Sequence, residues 1–250
     1  MGQRFRIDPS KYSIVLTSCG RFDLLEDTIR SFAAQFDFDV LTVAEDSGDH
    51  AGAAAVAQKF PFVEMLVNDP KLGQMRSIDR LYERVKTPYV VHLEDDWRFE
   101  RSCDLDKAAR VLDANKDLTG IVIAYREPAP KFKPFIETRT IEGATYRFFA
   151  PDAHPQWFSY SFNPSVVATA TWKSFGPFAK YKTEAELSVI AKNMGMRYAV
   201  ITPAIGIHTG DERHVPDPFQ PKRAKTFTAR LMRSIRKRST ALSTWLTARK

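Results

Sequence analysis

Short apolar runs alternate with helical patterns through the N-terminal part of the chain, and this alternation constrains the fold more than any other feature. The apolar runs are rich in β-branched residues, and the helical patterns repeat apolar residues at three- and four-residue steps. The predicted strands are 12–17, 39–44, 62–67 and 89–93, and the predicted helices between them are 23–35, 50–59 and 72–85. This alternation predicts a mainly parallel central sheet in a three-layer α/β sandwich.

Acidic clusters follow two of these predicted strands. Residues 45–49 read Glu-Asp-Ser-Gly-Asp after the second strand, and Glu94, Asp95 and Asp96 follow the fourth. In parallel α/β sheets, ligands bind beyond the carboxyl ends of the strands, where both clusters fall. Three successive carboxylates repel one another unless a cation or solvent compensates them, and their oxygens suit Mg²⁺ or Mn²⁺. A solvated acidic turn and, at Asp46, an Asx turn are the simpler interpretations.

The second half of the chain has fewer clear periods. Residues 126–165 are rich in proline and aromatic residues, so loops and short strands are expected there. A helix is predicted over 183–193, because Thr183 and Glu186 have the spacing of a capping box. A further apolar strand at 198–201 leads towards His208.

Positive charge is concentrated at the C-terminal end of the chain. The 250 residues include 37 Lys and Arg against 30 Asp and Glu, a net charge of +7. Ten of the basic residues and no acidic residue lie in 221–250, which leaves 27 basic against 30 acidic residues, a net charge of −3, in 1–220. We therefore predict one α/β domain over 1–220 and a separate basic segment over 221–250.

The basic segment has the pattern of an amphipathic helix. Its apolar residues from Phe227 to Leu246 share one side of a helical wheel, and most of the arginines lie opposite. This composition is typical of a helix in an anionic membrane interface. A helix docked on the domain and a partly disordered tail are the alternatives, and basic residues alone do not distinguish lipid phosphate from RNA phosphate. We expect the membrane surface, and not nucleic acid, to be the partner.

Composition excludes several other classes of protein. Cys19 and Cys103 are the two cysteines, too few for a disulfide scaffold or a Cys-rich zinc site. No apolar run approaches the roughly 20 residues that span a bilayer, and the start lacks the apolar core of a signal peptide. These features predict a reducing, cytoplasmic location, with peripheral attachment at the inner face of the cell membrane.

Four segments match, in order and spacing, the motifs of a known family. Residues 15–32 are similar to its first strand, polar turn and helix, and residues 45–49 to its Asp-Asp-Gly-Ser turn. Residues 71–73 are similar to its Asn-Leu-Gly helix start, and residues 89–96 to its hydrophobic strand with an Asp-x-Asp metal motif. Over roughly residues 12–210, the chain resembles family 2 glycosyltransferases, which have the GT-A fold, a Rossmann-like three-layer sandwich.

The resemblance implies a binding site for a nucleotide-diphosphate sugar and a metal ion. Asp46 is the implied contact of the nucleobase, and Arg76 is a candidate phosphate contact, although the family has its arginine at the position of Ile78. The residues implied for the donor are Thr17, Arg21, Asp46, Arg76 and Asp95. Those implied for Mn²⁺ or Mg²⁺ are Glu94, Asp96 and His208. A surface or core position is the simpler interpretation of His208.

The resemblance also implies an acceptor side. Residues 162–178 are similar to the segment before the family's Glu-Asp-x-Asp-Leu motif, and the step from Leu187 to Gly195 matches that motif's spacing. Glu184 is then the counterpart of the catalytic base, which takes the proton of the acceptor hydroxyl. Helix capping explains Glu186 more simply. The aromatic residues expected to stack on an acceptor sugar are Trp157, Phe158 and Tyr160.

The chain departs from the family pattern at three acids. Glu94 and Glu184 replace aspartates, and Thr183 replaces the acid before the base. Each change shifts the reach of the side chain by about one methylene, which matters where catalytic geometry is tight.

The expected activity is metal-dependent, inverting transfer to a glycan or lipid-linked acceptor, as in the synthesis of bacterial surface polysaccharides. A sugar-phosphate nucleotidyltransferase is the first alternative, but the turn that reads Thr-Ser-Cys-Gly-Arg is too short for a triphosphate-binding loop. The second alternative is an inactive membrane-binding or nucleic-acid-binding module that keeps the fold.

Overall fold

A computed structural model describes residues 4–127, 135–150, 153–210, 213, 215–217 and 219. The expected amphipathic helix in 221–250 and the boundary at residue 220 lie outside these residues. None of the helices in the described ranges is long and apolar enough to cross a membrane.

Strands and helices alternate through most of the described chain. In chain order the strands are β1 Phe5–Arg6, β2 Tyr12–Ser18, β3 Phe36–Asp37, β4 Leu41–Glu45, β5 Val63–Val67, β6 Tyr89–Glu94, β7 Trp97–Phe99, β8 Leu118–Val122, β9 Phe135–Ile141, β10 Ala144–Phe149, β11 Ser165–Ala168, β12 Arg197–Thr202 and β13 Gly206–His208. The α-helices are α1 Phe22–Gln35, α2 His50–Lys59, α3 Gln74–Tyr82, α4 Leu105–Ala114, α5 Thr169–Phe175 and α6 Glu184–Asn193, and a short 3₁₀ turn covers Phe178–Lys180.

A nine-stranded sheet in the order β5-β4-β2-β6-β11-β8-β12-β10-β9 forms the centre of the domain. The strands β5, β4, β2 and β6 are parallel to one another. Strand β11 runs antiparallel to both of its neighbours, β12 runs parallel to β8, and the antiparallel hairpin β9–β10 completes the sheet. The predicted α/β fold is confirmed: four adjacent parallel strands form one side of a mixed sheet, and β8 and β12 form a further parallel pair within the other side.

Helices cover both faces of the sheet, as the three-layer prediction requires. Successive side chains of a strand point to opposite faces. Leu16 of β2 accordingly belongs to a buried cluster with Leu25 and Phe32 of α1, whereas Val15 belongs to a second cluster with Ile78 of α3. Leu187 of α6 is buried in that second cluster, so the same packing that closes the core also places the start of α6.

The register of the parallel half brings the acidic clusters together. Thr17 lies opposite Glu94 on β6, and Ser18 lies opposite Glu45 on β4. Because these strands are parallel, both acidic clusters lie at the same edge of the sheet. One follows β4 and the other follows β6, the two neighbours of β2.

The predicted elements of the first half are confirmed to within three residues at each end. The Thr183 cap is also confirmed, since its hydroxyl accepts a hydrogen bond from the Glu186 N–H at 3.2 Å. Elements that the sequence analysis did not identify include α4, β8, β11 and α5. Strand β8 is buried at every position and therefore lacks the alternation that marks a half-buried strand.

Candidate active site

A cleft of about 220 Å³ opens at the carboxyl ends of β2, β4 and β6. Its walls come from the turns that follow these strands, from the first residues of α3 and from residues 215–217. Six of the predicted site residues line it: Thr17, Arg21, Asp46, Glu94, Asp95 and Asp96. The two acidic clusters therefore form one site.

Asp46 is buried and joins the turn after β4 to the start of α3. Its Oδ1 accepts hydrogen bonds from Asn68 Nδ2 at 2.9 Å and from the Leu72 N–H at 2.7 Å, and its Oδ2 accepts the Gly73 N–H at 2.8 Å. A carboxylate has about four lone-pair sites. One acceptor position on Oδ2 therefore remains for a ligand in the cleft.

Arg21 supplies a positive charge beside the acidic cluster that follows β6. Its guanidinium forms a two-pronged ion pair with Asp95, and its Nη1 lies 3.0 Å from Asp96 Oδ2. Ser18 Oγ also donates to Asp95 at 3.0 Å. Burial raises the pKa of Asp95 to about 6 even though Arg21 opposes the shift. Asp95 and Arg21 thus fix each other in one wall of the cleft.

Asp96 and His208 meet through a small antiparallel sheet. Strand β13 pairs with β7 so that His208 lies opposite Trp97, and this places His208 Nε2 3.4 Å from Asp96 Oδ2. Burial opposes ionisation of Asp96, but His208 and Arg21 outweigh it and lower the pKa of that carboxyl group. The structure therefore brings together two of the three residues implied for the metal.

Gly210 is a residue of this site that the sequence analysis did not identify. A Cβ atom at position 210 would lie 2.5 Å from both Cβ and Oδ2 of Asp96. Only glycine lets the chain pass so close to the carboxylate. A lone glycine after a histidine carries no signal of such a contact in the sequence.

Glu94 lies in the same cleft but is held differently. Its Oε1 accepts a hydrogen bond from Gln74 Nε2 at 3.3 Å. Burial raises its pKa well above the usual glutamate value, and the charges of Asp96, Glu184 and Asp95 raise it further. A cation bound in the cleft would relieve this repulsion.

The donor atoms at this edge suit a divalent cation that a ligand helps to coordinate. In the described part of the chain, no three His, Cys, Asp or Glu side chains form a ready-made metal-binding group. Proteins usually hold Mg²⁺ through one or two carboxylates together with substrate phosphates, without an all-protein cage. The convergence of Asp96 and His208 fits that kind of partial site.

Glu184 begins α6, beside the cleft. Its Oε1 accepts the Phe162 N–H at 3.3 Å. Burial raises its pKa, although the hydrogen bonds from Phe162 and Ser161 oppose the shift. Its negative charge in turn contributes to the raised pKa of Glu94. The predicted base is thus a buried carboxyl group whose charge acts on the acidic cluster.

The three predicted acceptor aromatics occupy different environments. Tyr160 is only 2% exposed and packs edge-on against Phe178 with ring centroids 5.6 Å apart, so its predicted role in stacking on a sugar is wrong. Phe158 stacks on Phe149 with centroids 4.9 Å apart. Trp157 is 38% exposed, and its ring centroid lies 6.4 Å from that of His154. Trp157 is therefore more accessible to a ligand than Tyr160.

Arg76 does not line the main cleft. Gln74 and Ser77 are the residues of α3 that line it, and Arg76 projects from another side of the helix. Its guanidinium lies 4.0 Å over the ring of Phe219, in a second cavity of about 100 Å³. The structure therefore does not bring Arg76 to the donor residues with which the resemblance grouped it.

Residues 213, 215–217 and 219 also contribute to the site, and the sequence analysis assigned them no role in it. The Arg213 carbonyl accepts a hydrogen bond from Arg21 Nη1 at 3.1 Å, and Asp217 Oδ2 accepts the Gln74 N–H at 3.0 Å. Lys71 Nζ donates to the Pro216 carbonyl at 3.0 Å. These contacts hold Arg213, Pro216 and Asp217 against the cleft.

Comparison with known proteins supports this description of the fold. The sequence profile described as Glycosyl transferase family 2 matches residues 13–166. A search of curated proteins found no match.

Several solved structures share the architecture at low sequence identity. S. aureus TarS 1–349 in complex with UDP-GlcNAc is 15% identical with a TM-score of 0.56, covering 83% of this chain and 60% of that one. Mannosyltransferase PcManGT from Pyrobaculum calidifontis, in complex with GDP-Man and Mn²⁺, is 12% identical with a TM-score of 0.55. The match covers 93% of this chain and 64% of that one. GalNAc-T7 with UDP, GalNAc and Mn²⁺ is 9% identical with a TM-score of 0.56. The match covers 88% of this chain and 47% of that one.

The chain spans about 60% of the length of TarS 1–349, so the likeness concerns the shared domain. The family profile covers more than half of the chain and includes β2, β4 and β6, whose carboxyl ends form the cleft. The chain belongs to glycosyl transferase family 2 and has the GT-A fold.

Proposed function

We propose that this protein transfers a sugar from a nucleotide-diphosphate sugar to a hydroxyl group of a glycan or lipid-linked acceptor, with inversion at the anomeric carbon. The observation that carries the proposal is the single cleft in which Asp46, Arg21 and the acidic cluster converge at the ends of the parallel strands. Structural neighbours with UDP-GlcNAc or GDP-Man bound support a nucleotide sugar as the donor.

The donor would lie along the wall formed by Asp46, Thr17, Asp95 and Arg21. The remaining acceptor position of Asp46 suits an N–H of the nucleobase, and Asp95 would hold the ribose while Arg21 keeps it in place. Asp96 and His208, with Glu94 beside them, would hold Mn²⁺ or Mg²⁺. When bound, the ion neutralises the diphosphate leaving group. The neighbours that contain Mn²⁺ support this choice of metal.

Glu184 would act as the general base. Its carboxylate takes the proton of the acceptor hydroxyl while that oxygen forms a bond to the anomeric carbon, and the bond from this carbon to the diphosphate oxygen breaks. The nucleoside diphosphate leaves with the electron pair. Attack from the side opposite the leaving group inverts the anomeric centre in one step. The raised pKa of Glu184 makes it a stronger base than an exposed glutamate.

A nucleotidyltransferase is less consistent with the local geometry. The turn between β2 and α1 contains three residues, Cys19, Gly20 and Arg21. Three residues do not form the glycine-rich loop that wraps a triphosphate.

A panel of nucleotide sugars tests the donor proposal by thermal shift, with and without Mn²⁺. A ligand that binds the folded state raises the unfolding temperature. We expect one nucleotide class, uridine or guanosine diphosphate sugars, to stabilise the protein and to do so more strongly with Mn²⁺. No shift with any donor at millimolar concentration would contradict the proposal.

We also propose that the enzyme works at the inner face of the cell membrane, on an acceptor of surface-polysaccharide synthesis. The ten basic residues of 221–250 support this location. Sedimentation of the full chain with vesicles tests it. Binding to phosphatidylglycerol vesicles that is lost in high salt is expected, and equal binding to neutral phosphatidylcholine vesicles would contradict it.

A further inference from the structure

The second cavity adjoins the donor cleft, and the mechanism above assigns it no role. Gly73 and Asp217 line both cavities. The rest of its wall comes from Phe219, from residues around the start of α3 (Leu72, Met75 and Arg76) and from Ala179, Tyr181 and Lys182, which precede α6. Because Lys182 is two residues from Glu184, this cavity lies between the donor cleft and the start of the base-bearing helix.

Two cations face this cavity without an acidic partner. Arg76 and Lys182 are both exposed, and in the described ranges neither side chain has a carboxylate within ion-pair distance. Among the described residues, the one acid in the wall is Asp217, whose carboxylate accepts backbone N–H groups from Gln74 at 3.0 Å and Phe219 at 2.8 Å. The cavity therefore has a surplus of positive charge, and its single carboxylate is already engaged.

The Arg76 side chain is partly ordered before any ligand arrives. Its guanidinium lies 4.0 Å over the Phe219 ring, within the range of a cation–π contact. Stacking leaves the N–H groups at the rim of the guanidinium free, and these groups match the oxygens of a phosphate. Lys182 adds a mobile point charge on the other side of the cavity. Together they form a small, positively charged pocket with an aromatic support.

We propose that this pocket binds a phosphate group of the acceptor, so that the acceptor is a phosphate-bearing glycan or polyol. This inference rests on the proposed function, since it needs a donor in the main cleft and a base at Glu184. The proposal assigns Arg76 to acceptor binding, whereas the resemblance had grouped it with the donor residues. A phosphate held between Arg76 and Lys182 would direct a neighbouring hydroxyl towards Glu184.

Calorimetric titration with glycerol 3-phosphate tests the pocket, with neutral glycerol as the control ligand. The protein is first saturated with Mn²⁺ and the nucleoside diphosphate that stabilises it, so that the donor site is filled. We expect glycerol 3-phosphate to bind and glycerol not to bind. The double variant Arg76→Ala/Lys182→Ala should lose about tenfold or more in affinity, because two charge-assisted contacts are removed. The control variant Arg84→Ala/Lys86→Ala removes the same charges from exposed positions nearby and should bind as the wild type does.

Two results would overturn the proposal. One is equal affinity of the wild type and the Arg76→Ala/Lys182→Ala variant for glycerol 3-phosphate, or no binding to either at millimolar concentration. The other is a loss of nucleotide affinity in this variant with unchanged glycerol 3-phosphate binding, which would return Arg76 to the donor site. Titration of the wild type with the nucleoside diphosphate tests donor binding, and therefore the proposed function, separately. If no nucleotide binds, that function fails, and glycerol 3-phosphate is then titrated alone against the same variants.

Discussion

The proposed donor side of the cleft is built from turns that follow parallel strands, whereas the proposed acceptor side is assembled from segments far apart in the chain. Thr17, Asp46 and Asp95 each lie at or just after the end of a strand, and the register of those strands sets their spacing. Glu184 instead depends on the packing of α6 and on a hydrogen bond from Phe162. The residues proposed for donor binding and the residue proposed for proton transfer lie in separate parts of the structure, so variants should affect the two functions separately.

The largest effect is expected on the donor side, from Asp96→Ala. The change removes a carboxylate that contacts both His208 and Arg21, and it should abolish metal-dependent nucleotide binding. The loss of charge stabilisation is several kcal/mol, so transfer should fall by on the order of a thousandfold. Titration of the nucleoside diphosphate with and without Mn²⁺ measures the loss of nucleotide binding.

The matched control is Asp37→Ala, which removes an exposed carboxylate whose ion-pair partner among the described residues is Arg6. It should leave binding and transfer unchanged. Unchanged affinity of the Asp96→Ala protein in the presence of Mn²⁺ would refute the metal site.

On the acceptor side, Glu184→Gln should abolish proton transfer and leave the donor bound. General-base catalysis contributes about 10²- to 10⁴-fold, and kcat should fall by that amount. Nucleotide affinity should stay within error of the wild type. Glu186→Gln is the control, since Glu186 Oε2 accepts the Lys182 N–H and serves the helix start. Near-normal turnover of the Glu184→Gln protein would exclude it as the base.

The same residue predicts the pH dependence of transfer. Burial raises the pKa of Glu184 above the ordinary value of 4.5, and the base acts only when it is deprotonated. Activity should therefore be full above the raised pKa and fall as the pH drops through it. The acidic limb of the kcat profile should lie above pH 4.5 and disappear in Glu184→Gln. A limb at or below that value would show that another group controls the rate.

Smaller effects separate the buried and exposed aromatics of the acceptor region. Tyr160→Ala empties a site in the core and should lower the free energy of unfolding by about 3–5 kcal/mol. Trp157→Ala removes an exposed ring and should change it by about 0.5 kcal/mol or less. Chemical denaturation measures both. If Trp157→Ala loses more free energy of acceptor binding than of unfolding, the result would support contact of Trp157 with a sugar. Equal destabilisation by the two variants would contradict the assignment of Tyr160 as buried and Trp157 as exposed.

The difference between the two sides also explains what could be predicted from the sequence. Asp46 and Asp95 belong to the acidic clusters that follow apolar runs, so a local pattern and the rule for parallel sheets were enough to place them at one edge. The contact of Asp217 with Gln74 joins residues 143 apart in sequence, and no local period encodes it. Tyr160 and Trp157 are three residues apart in one aromatic stretch. Which of them is buried depends on the packing of Phe178 and α6, and composition does not show that packing.

The central claim is a metal-dependent, inverting transfer, and proton NMR of donor turnover tests it most directly. UDP-GlcNAc or GDP-mannose, both α-linked, is incubated with the protein and Mn²⁺, and the anomeric signal of the first product is followed with water as acceptor. We predict that the β-anomer appears first, that chelation of the metal stops the reaction, and that Glu184→Gln slows it by about 10²- to 10⁴-fold. Initial release of the α-anomer, or turnover that chelation leaves unchanged, would contradict the account.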